Sequence, residues 1–191
     1  MDTKRPYKIA INARFLIPGK LEGIGWFSFE TIKRIVTKHP EYEFHLLFDR
    51  PYPKEFVFAE NCIPHTLYPP ARHPILWYLW FEISVAWFLK KTKPDLFLSP
   101  DGQLSLSAQC PQVLVIHDLA FEHFPEFIPD FVAKYYKWYT PKFAHKASAI
   151  ATVSQASKDD IVQLYQINPD KITVVDVDHS FWLDEFTSCY N

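Results

Sequence analysis

Glycine, cysteine and methionine are scarce in this chain, and neither sign of charge dominates. It has 4 glycines, 3 cysteines and 1 methionine among 191 residues. Cys62, Cys110 and Cys189 are odd in number and far apart, which argues against a disulfide framework and favours a reducing, cytoplasmic compartment. A net charge of -2 supplies no basic field for a phosphate backbone, so nucleic acid is not an expected partner.

Several sequence signatures are also missing. No apolar stretch of signal-peptide length follows Met1, so secretion is not expected. Histidines and cysteines do not recur at ligand-like spacing, and we therefore predict no metal site. The chain has neither a nucleoside-triphosphatase phosphate loop nor a serine-hydrolase elbow, which removes those enzyme classes.

What the chain does contain is typical of a folded domain. Hydrophobic residues make up 48% of the sequence and aromatic residues 17%, enough apolar surface to offset the ordering entropy of the chain. Apolar runs typical of buried strands alternate with segments of helical periodicity. We predict strands at 7–13, 43–48, 63–68, 95–99, 113–116, 150–153 and 172–175, and helices at 24–38, 74–91, 131–146 and 157–165.

This alternation predicts an α/β fold with a doubly wound, mostly parallel sheet and helices on both faces. We expect a single domain over residues 1–180 and a short tail over 181–191. The most apolar segment, residues 74–91, is shorter than the roughly 20 residues that cross a bilayer. It is either a buried helix packed on the sheet or a helix whose Trp and Tyr side chains also touch a membrane interface.

Ligands of such sheets bind beyond the carboxyl ends of the strands, which makes the loops after strands the candidate site. His117 follows a buried strand there and is the candidate catalytic residue. Asp118 either joins it or caps the following turn. Ser154 has the side chain of a helix cap and is also a crevice candidate. The remaining crevice candidates are Asn12, Arg14 and Asp101.

Gly23, Ile24 and Gly25 lie in the loop that enters the first helix, where backbone amides suit an anion. The glycines could equally serve only a turn or a close approach of chain to chain. As a dinucleotide fingerprint the motif is defective, because Ser28 replaces the third glycine. Asp49, near the end of the second strand, could still contact a ribose, which keeps a dinucleotide-binding domain as an alternative.

Four segments together resemble the N-terminal half of family-4 glycosyltransferases, and the likeness runs from about Ile9 to Val175. The Gly23 to Gly25 loop fits the same family. The segments are Val115-Ile116-His117-Asp118-Leu119, Phe124-Pro125-Glu126, Ala151-Thr152-Val153-Ser154 with Ser157 and Asp160, and Asn168-Pro169-Asp170-Lys171-Ile172-Thr173-Val174-Val175.

The resemblance implies a Rossmann-like domain that holds the acceptor, facing a second domain that holds a nucleotide-sugar donor. It implies hexosyl transfer, often of mannose, in polysaccharide or other glycan biosynthesis, with retained anomeric configuration and without a metal or other cofactor. By resemblance His117 lies beside the transferred sugar, and Gly23 to Gly25 approach the donor phosphates. The acceptor would be a glycan or a lipid-linked sugar.

The sequence departs from the family after Val175, where Asp176 to Ser180 replace the usual asparagine-glycine turn. We therefore expect the donor-binding domain to be absent, and the chain to be a truncated domain or one half that works with a partner chain. Alone it should be inactive as a transferase, or be a non-catalytic binding or scaffold domain. We expect a cytoplasmic protein, with peripheral membrane contact as a further expectation. Phe121, Phe124, Phe181 and Trp182 would form an apolar patch toward the missing domain.

Overall fold

In a computed structural model that describes residues 5–175, seven parallel strands form one sheet. The strands are β1 (Lys8–Asn12), β2 (Glu43–Phe48), β3 (Cys62–Thr66), β4 (Leu96–Ser99), β5 (Gln112–Ile116), β6 (Ala149–Thr152) and β7 (Ile172–Val174). Their order across the sheet is β3-β2-β1-β4-β5-β6-β7. The strand order reverses between β1 and β4, which is the place where ligands bind in open sheets of this type.

The helices follow the strands in the alternation that the sequence predicts. They are α1 (Gly23–Lys38), α2 (Pro74–Leu79), α3 (Ala86–Thr92), α4 (Ala120–His123), α5 (Asp130–Lys146) and α6 (Gln155–Tyr165). A π-helical segment, Trp80–Val85, joins α2 to α3. Single 3-10 turns are found at Lys54–Phe56, Pro125–Phe127 and Pro169–Lys171.

Both faces of the sheet are covered, so the predicted fold class is confirmed. Successive residues of β1 point to opposite faces, as the pleat of a strand requires. Ile9 and Ile11 join a core cluster with Ile32 and Val36 of α1. Ala10 joins a second cluster that contains side chains of the π-helical segment and of α3, α5 and α6.

The apolar segment 74–91 is a helix buried against the sheet along one side. Trp80, Phe81 and Val85 are at most 1% exposed. Trp80 Nε1 also donates to Leu67 O over 3.0 Å, so its polar atom is paired inside the core. Within residues 5–175, no helix is long and apolar enough to cross a membrane.

The strands end close to their predicted bounds, and the largest difference is at β3, which is an edge strand. We predicted residues 63–68, whereas β3 is Cys62–Thr66 and contains Pro64. Proline has no N–H for a sheet ladder, so it is tolerated at an edge. β3 is the outermost strand beside β2.

Candidate functional site

Two neighbouring strands, β1 and β4, end in polar side chains joined by hydrogen bonds. Asn12 Nδ2 donates to Ser99 Oγ over 3.0 Å, and Ser99 Oγ donates to Asp101 Oδ1 over 3.1 Å. Arg14 Nε donates to Asp101 Oδ2. The fold thus brings together Asn12, Arg14 and Asp101, as expected of loops that follow the adjacent strands of one edge.

The Arg14–Asp101 ion pair is buried. The two side chains are 4% and 1% exposed. Three aromatic rings lie around the guanidinium carbon, with centroids at 5.0 Å for Phe15, 5.4 Å for Phe81 and 5.6 Å for Trp77. Aromatic faces attract a cation, and pairing compensates two charges that would be costly to bury singly. The ion pair therefore fixes the loops after β1 and β4 to each other.

Two tyrosines of α5 lie close to this charge pair. Tyr135 OH donates to Gln103 Oε1 over 3.0 Å. Burial raises the pKa of both Tyr135 and Tyr136, although the nearby Arg14 charge opposes the rise. Both phenols are consequently neutral at physiological pH and keep their O–H as a donor.

A cavity of about 160 Å³ opens at this edge of the sheet. It brings His117, Asp118, Asp101 and Ile24 together, all of which were predicted from the sequence. Concave sites with a few convergent polar groups are where small ligands bind. The cavity is lined by Ile24, Asp101, Gly102, Ile116, His117, Asp118, Phe121, Tyr136 and Thr140.

His117 is held in one orientation within the cavity wall. Its Nε2 lies 2.8 Å from Pro100 O, and since a carbonyl only accepts, Nε2 carries the proton. In the neutral ring Nδ1 then has the lone pair. The His117 and Phe27 rings pack in a T-shaped pair with a centroid distance of 4.7 Å, and Ser157 Oγ donates to the His117 carbonyl over 3.0 Å.

Asp118 and Ser154 both serve the backbone locally. Asp118 Oδ1 accepts from Ala120 N over 3.0 Å, the bond that a side chain makes when it caps a following turn. Ser154 Oγ accepts from Ser157 N over 3.1 Å and is the N-cap of α6, as predicted. Asp118 also lines the cavity, whereas Ser154 is not among the lining residues.

The three residues Gly23, Ile24 and Gly25 each have a different role. α1 begins at Gly23, where an added Cβ would meet nothing within 4 Å. Ile24 reaches the cavity. At Gly25 an added Cβ would lie 3.1 Å from Phe15 O and 3.3 Å from Leu21 Cδ2, so this glycine is required by the close approach of two chain segments.

Asp49 is not placed to bind a ribose. Its carboxylate accepts from Arg50 Nε and Nη2 over 2.6 and 2.8 Å, and from Ala71 N over 2.8 Å. The side chain is 0% exposed. Enclosure by these donors explains why the acidic residue near the end of β2 does not support the dinucleotide alternative.

The predicted apolar patch is present only in part. Phe124 is 53% exposed, and Phe121 is half-buried with its ring 5.2 Å from that of Tyr136. Phe127, which sequence reasoning missed, is 79% exposed and stacks on Phe124 at 5.9 Å. Phe181 and Trp182 lie outside the described residues.

Sequence reasoning also missed Tyr136 and Thr140. They are spaced i and i+4 on α5 and therefore lie on one side of that helix. The spacing was readable from the sequence, but nothing in it says which cavity that side faces. Among residues 5–175, no group of three or more His, Cys, Asp or Glu side chains could hold a metal ion.

Comparison with known proteins relates the chain to a protein family. Residues 23–176 match the family model described as Glycosyltransferase Family 4. Comparison with curated protein sequences finds no match.

Solved structures share the fold at low sequence identity. A glycosyltransferase from Rickettsia africae is 15% identical with a TM-score of 0.54, and the match covers 91% of this chain and 43% of the Rickettsia protein. Anabaena HepE, solved with UDP and glucose, is 16% identical with a TM-score of 0.57, covering 89% and 44%. A protein from Listeria monocytogenes described as a UDP-N-acetylglucosamine 2-epimerase is 10% identical with a TM-score of 0.59, covering 88% and 45%.

The chain therefore spans less than half the length of these structures. Transferases and epimerases both appear among them, so the structural likeness shows the shared fold and does not select a reaction.

Proposed function

The chain belongs to glycosyltransferase family 4, and we propose that it is the acceptor-side domain of a nucleotide-sugar-dependent glycosyltransferase. The observation that carries the proposal is the coincidence of the family match over residues 23–176 with a cavity that holds His117 at the carboxyl edge of the sheet. The reaction is transfer of a hexosyl group, with mannose as the first candidate, to a hydroxyl of a glycan or lipid-linked acceptor.

His117 is proposed to contact the transferred sugar. Its Nε2–H is committed to Pro100 O, which leaves Nδ1 to accept a hydrogen bond from a sugar hydroxyl. The rigid attachment matters because positioning supplies much of the rate of a group transfer. Tyr136 of α5 lines the same cavity, and its neutral phenol is proposed as a second hydrogen-bonding group for the sugar.

The amino end of α1 is proposed to face the donor diphosphate. Its first turn contains no acidic residue, and the N-cap Glu22 makes no side-chain bond to the helix, so the backbone amides there are not capped by that carboxylate. Amides at a helix start stabilise a phosphate that gains charge as it leaves. We expect this chemistry to need neither metal nor redox cofactor.

The donor-binding residues are proposed to come from outside this chain, from a second domain or a partner chain. This chain covers only 43–44% of the length of two structural relatives, so each of them is about twice as long as the region that matches. We therefore expect little or no transfer by residues 1–191 alone. The reaction would belong to polysaccharide or related glycan synthesis on the cytoplasmic side of the cell.

The test begins with the open reading frame beyond the codon for Asn191, to obtain any donor-binding region. The resulting protein, or this chain mixed with its partner, is assayed with radiolabelled GDP-mannose, UDP-glucose and UDP-galactose. We expect transfer with at least one donor, reduced about 100-fold or more by His117→Ala.

His123→Ala is the matched control, because His123 pairs with Asp160 and does not line the cavity. It should leave transfer close to wild type. Full activity of His117→Ala would remove that residue from the mechanism. Absence of transfer with every donor, by the chain together with its donor region, would favour the non-catalytic binding or scaffold role.

A further inference from the structure

A threonine hydroxyl in the wall of the 160 Å³ cavity has no hydrogen-bond partner, although its side chain is well covered. Thr140 is 4% exposed, and among residues 5–175 no group bonds its Oγ1. Buried polar groups are normally paired, so this hydroxyl is available to a ligand of the cavity. Other helical hydroxyls donate to the carbonyl one turn earlier: Ser28 to Ile24 O, Thr37 to Lys33 O and Thr92 to Phe88 O.

Tyr136, one turn before Thr140 on α5, brings a second hydroxyl to the same cavity. Within the described residues its OH has no hydrogen-bond partner, whereas the adjacent Tyr135 OH donates to Gln103 Oε1. The Tyr136 ring packs against two other rings, at centroid distances of 5.2 Å for Phe121 and 5.8 Å for Trp77. Burial raises the pKa of Tyr136, so the phenol keeps its proton at physiological pH.

Two further atoms at the cavity can only accept a hydrogen bond. His117 Nδ1 keeps its lone pair, because Nε2 is bonded to Pro100 O. Asp118 uses Oδ1 for the Ala120 amide, and its Oδ2 has no partner in the part of the chain that the structure describes. A ligand that satisfies both atoms must supply two donors.

The charge at the cavity is negative. Its described lining contains the carboxylates of Asp101 and Asp118 and neither a lysine nor an arginine. Asp101 is neutralised by its ion pair with Arg14, whereas Asp118 has no ion pair among residues 5–175. Lys137, which lies between the two hydroxyl-bearing residues in the sequence of α5, has its ammonium group 3.8 Å from a Glu122 carboxylate oxygen. An anionic ligand would therefore meet an uncompensated like charge.

Apolar side chains form the rest of the wall. Ile24, Ile116 and Phe121 line the cavity beside the polar groups. A sugar ring matches this mixture, since it presents C–H groups on its faces and hydroxyls around its rim. Each hydroxyl both donates and accepts, whereas an ionised carboxylate only accepts. An uncharged sugar can thus pair with all four free polar groups, and an acidic sugar has one donor fewer.

We propose that Tyr136 and Thr140 are specificity-determining residues that, together with Asp118, restrict the cavity to an uncharged sugar ring and reject uronic acids. That the ligand is a sugar rests on the proposed function, whereas the rejection of a carboxylate rests on the charge and the free acceptors of the cavity. A uronic acid has a carboxylate where the neutral hexose has a primary hydroxyl. The exchange removes a donor and places a second negative charge beside Asp118.

The experiment is a titration of the 191-residue protein with methyl glycosides, followed by saturation-transfer NMR. The probes are the methyl glycosides of mannose, glucose and galactose, each compared with the uronic acid of the same ring configuration. We expect saturable binding of at least one neutral glycoside and binding of its uronic acid that is weaker by about tenfold or more. Asp118→Asn removes the charge and should narrow this difference.

Isosteric variants test the two hydroxyls. Thr140→Val and Tyr136→Phe should each weaken binding of the neutral glycoside about three- to tenfold. Thr140→Ser keeps a hydroxyl and should restore binding, which separates loss of a hydrogen bond from damage to the fold. Thr37→Val and Tyr78→Phe are the matched controls and should bind as the wild type does. The Thr37 hydroxyl is bonded to Lys33 O on α1, and Tyr78 is 42% exposed on α2 and does not line the cavity.

Equal binding of a neutral glycoside and its uronic acid would overturn the proposal. Wild-type binding by both Thr140→Val and Tyr136→Phe would also overturn it, as would the absence of saturable binding well above the millimolar range. If the protein with its donor region transferred sugar while any of these results held, the proposed function would stand and only the assignment of specificity would fail. Transfer from a uronosyl donor as fast as from the neutral one would likewise contradict the assignment alone.

Discussion

The buried charge pair at the end of β1 is expected to be among the most sensitive positions of the molecule. Removing one partner leaves the other charge desolvated, so Arg14→Met or Asp101→Asn should lower the free energy of unfolding by about 3–5 kcal/mol. Urea denaturation measures this change. The double variant should lose less than the sum of the two, since neither charge is then left alone.

An exposed pair supplies the comparison. Arg34 and Glu30 lie 3.2 Å apart on α1 with side chains 52% and 43% exposed. Arg34→Met should change the free energy of unfolding by only about 0.5 kcal/mol or less. If Asp101→Asn were equally mild, water would have access to the Arg14 guanidinium, in conflict with its burial.

Gly25 and Gly23 are two residues apart and should respond differently to substitution by alanine. At Gly25 the new methyl group would press on Phe15 O and on Leu21, so Gly25→Ala should destabilise the protein by about 1–3 kcal/mol. At Gly23 there is open space, and Gly23→Ala should be neutral or stabilise by up to about 1 kcal/mol. Thermal unfolding of the two variants in parallel decides the matter. A tolerated alanine at Gly25 would mean that the loop moves freely away from α1.

At the scale of single elements, α6 depends on one hydroxyl for its start. Ser154→Ala removes the acceptor for Ser157 N and should cost about 1 kcal/mol. Gln163→Ala, an exposed position on the same helix, is the control and should be close to neutral. Equal stability of the two variants would show that another group caps the helix in solution.

The pairing of β2 with β3 contains a titratable cluster. His45 Nδ1 lies 2.9 Å from His65 Nε2, and His45 Nε2 lies 2.8 Å from Glu43 Oε1. Lys8 Nζ also lies 3.2 Å from Glu43 Oε1. Burial, followed by the neighbouring His45, lowers the pKa of His65 below its ordinary value. The folded protein therefore favours the neutral His65 ring.

A lowered histidine pKa makes folding weaker in acid. As the pH falls, the unfolded chain takes up a proton on His65 near pH 6.5, whereas the folded protein takes it up only at a lower pH. Protonation of His65 therefore does not reduce the free energy of unfolding well above pH 6.5, and it reduces this free energy increasingly as the pH falls below that value. We expect the free energy of unfolding to drop from about pH 8 to about pH 5.5, and His65→Gln to drop less. His145→Gln, at an exposed histidine, should retain the wild-type slope. Identical slopes for both variants would exclude His65 as the source.

The ends of an element were predictable from the sequence where a compact apolar run changes to polar residues. The strands β4, β5 and β6 are compact apolar runs, and their ends follow the change to polar residues. By contrast, α4 is four residues long and shows no periodicity. The π-helical segment was also missed, because its residues continue an uninterrupted apolar pattern and the change of hydrogen-bond partner depends on packing against the sheet.

At the scale of the whole molecule, the strand order sets an expected gradient of local stability. β1 and β4 lie at the centre with neighbours on both sides, whereas β3 and β7 are outermost in the described sheet. Hydrogen exchange followed by mass spectrometry should show the slowest amides in β1, β4 and β5 and faster exchange in β3. Protection of β3 as strong as that of β4 would indicate an additional element along that edge.

The site was predictable as far as topology alone determines it. The rule that ligands bind beyond the strand ends selected Asn12, Arg14, Asp101 and His117 from the sequence, and the fold places all four at one edge. Tyr136 reaches the same cavity from the middle of α5. Its contribution depends on how that helix packs, which the periodicity of a single helix does not determine.

The parallel direction of all seven strands also decides how the protein can be attached to other objects. Arg5 is bound to Asp95 just before β4, so the described chain enters the sheet at the edge opposite the cavity. After β7 it leaves at Val175, on the cavity's own edge. An affinity tag or surface tether added before Tyr7 would consequently leave the cavity accessible, whereas a bulky fusion immediately after Val175 would lie on the same edge of the sheet as the cavity.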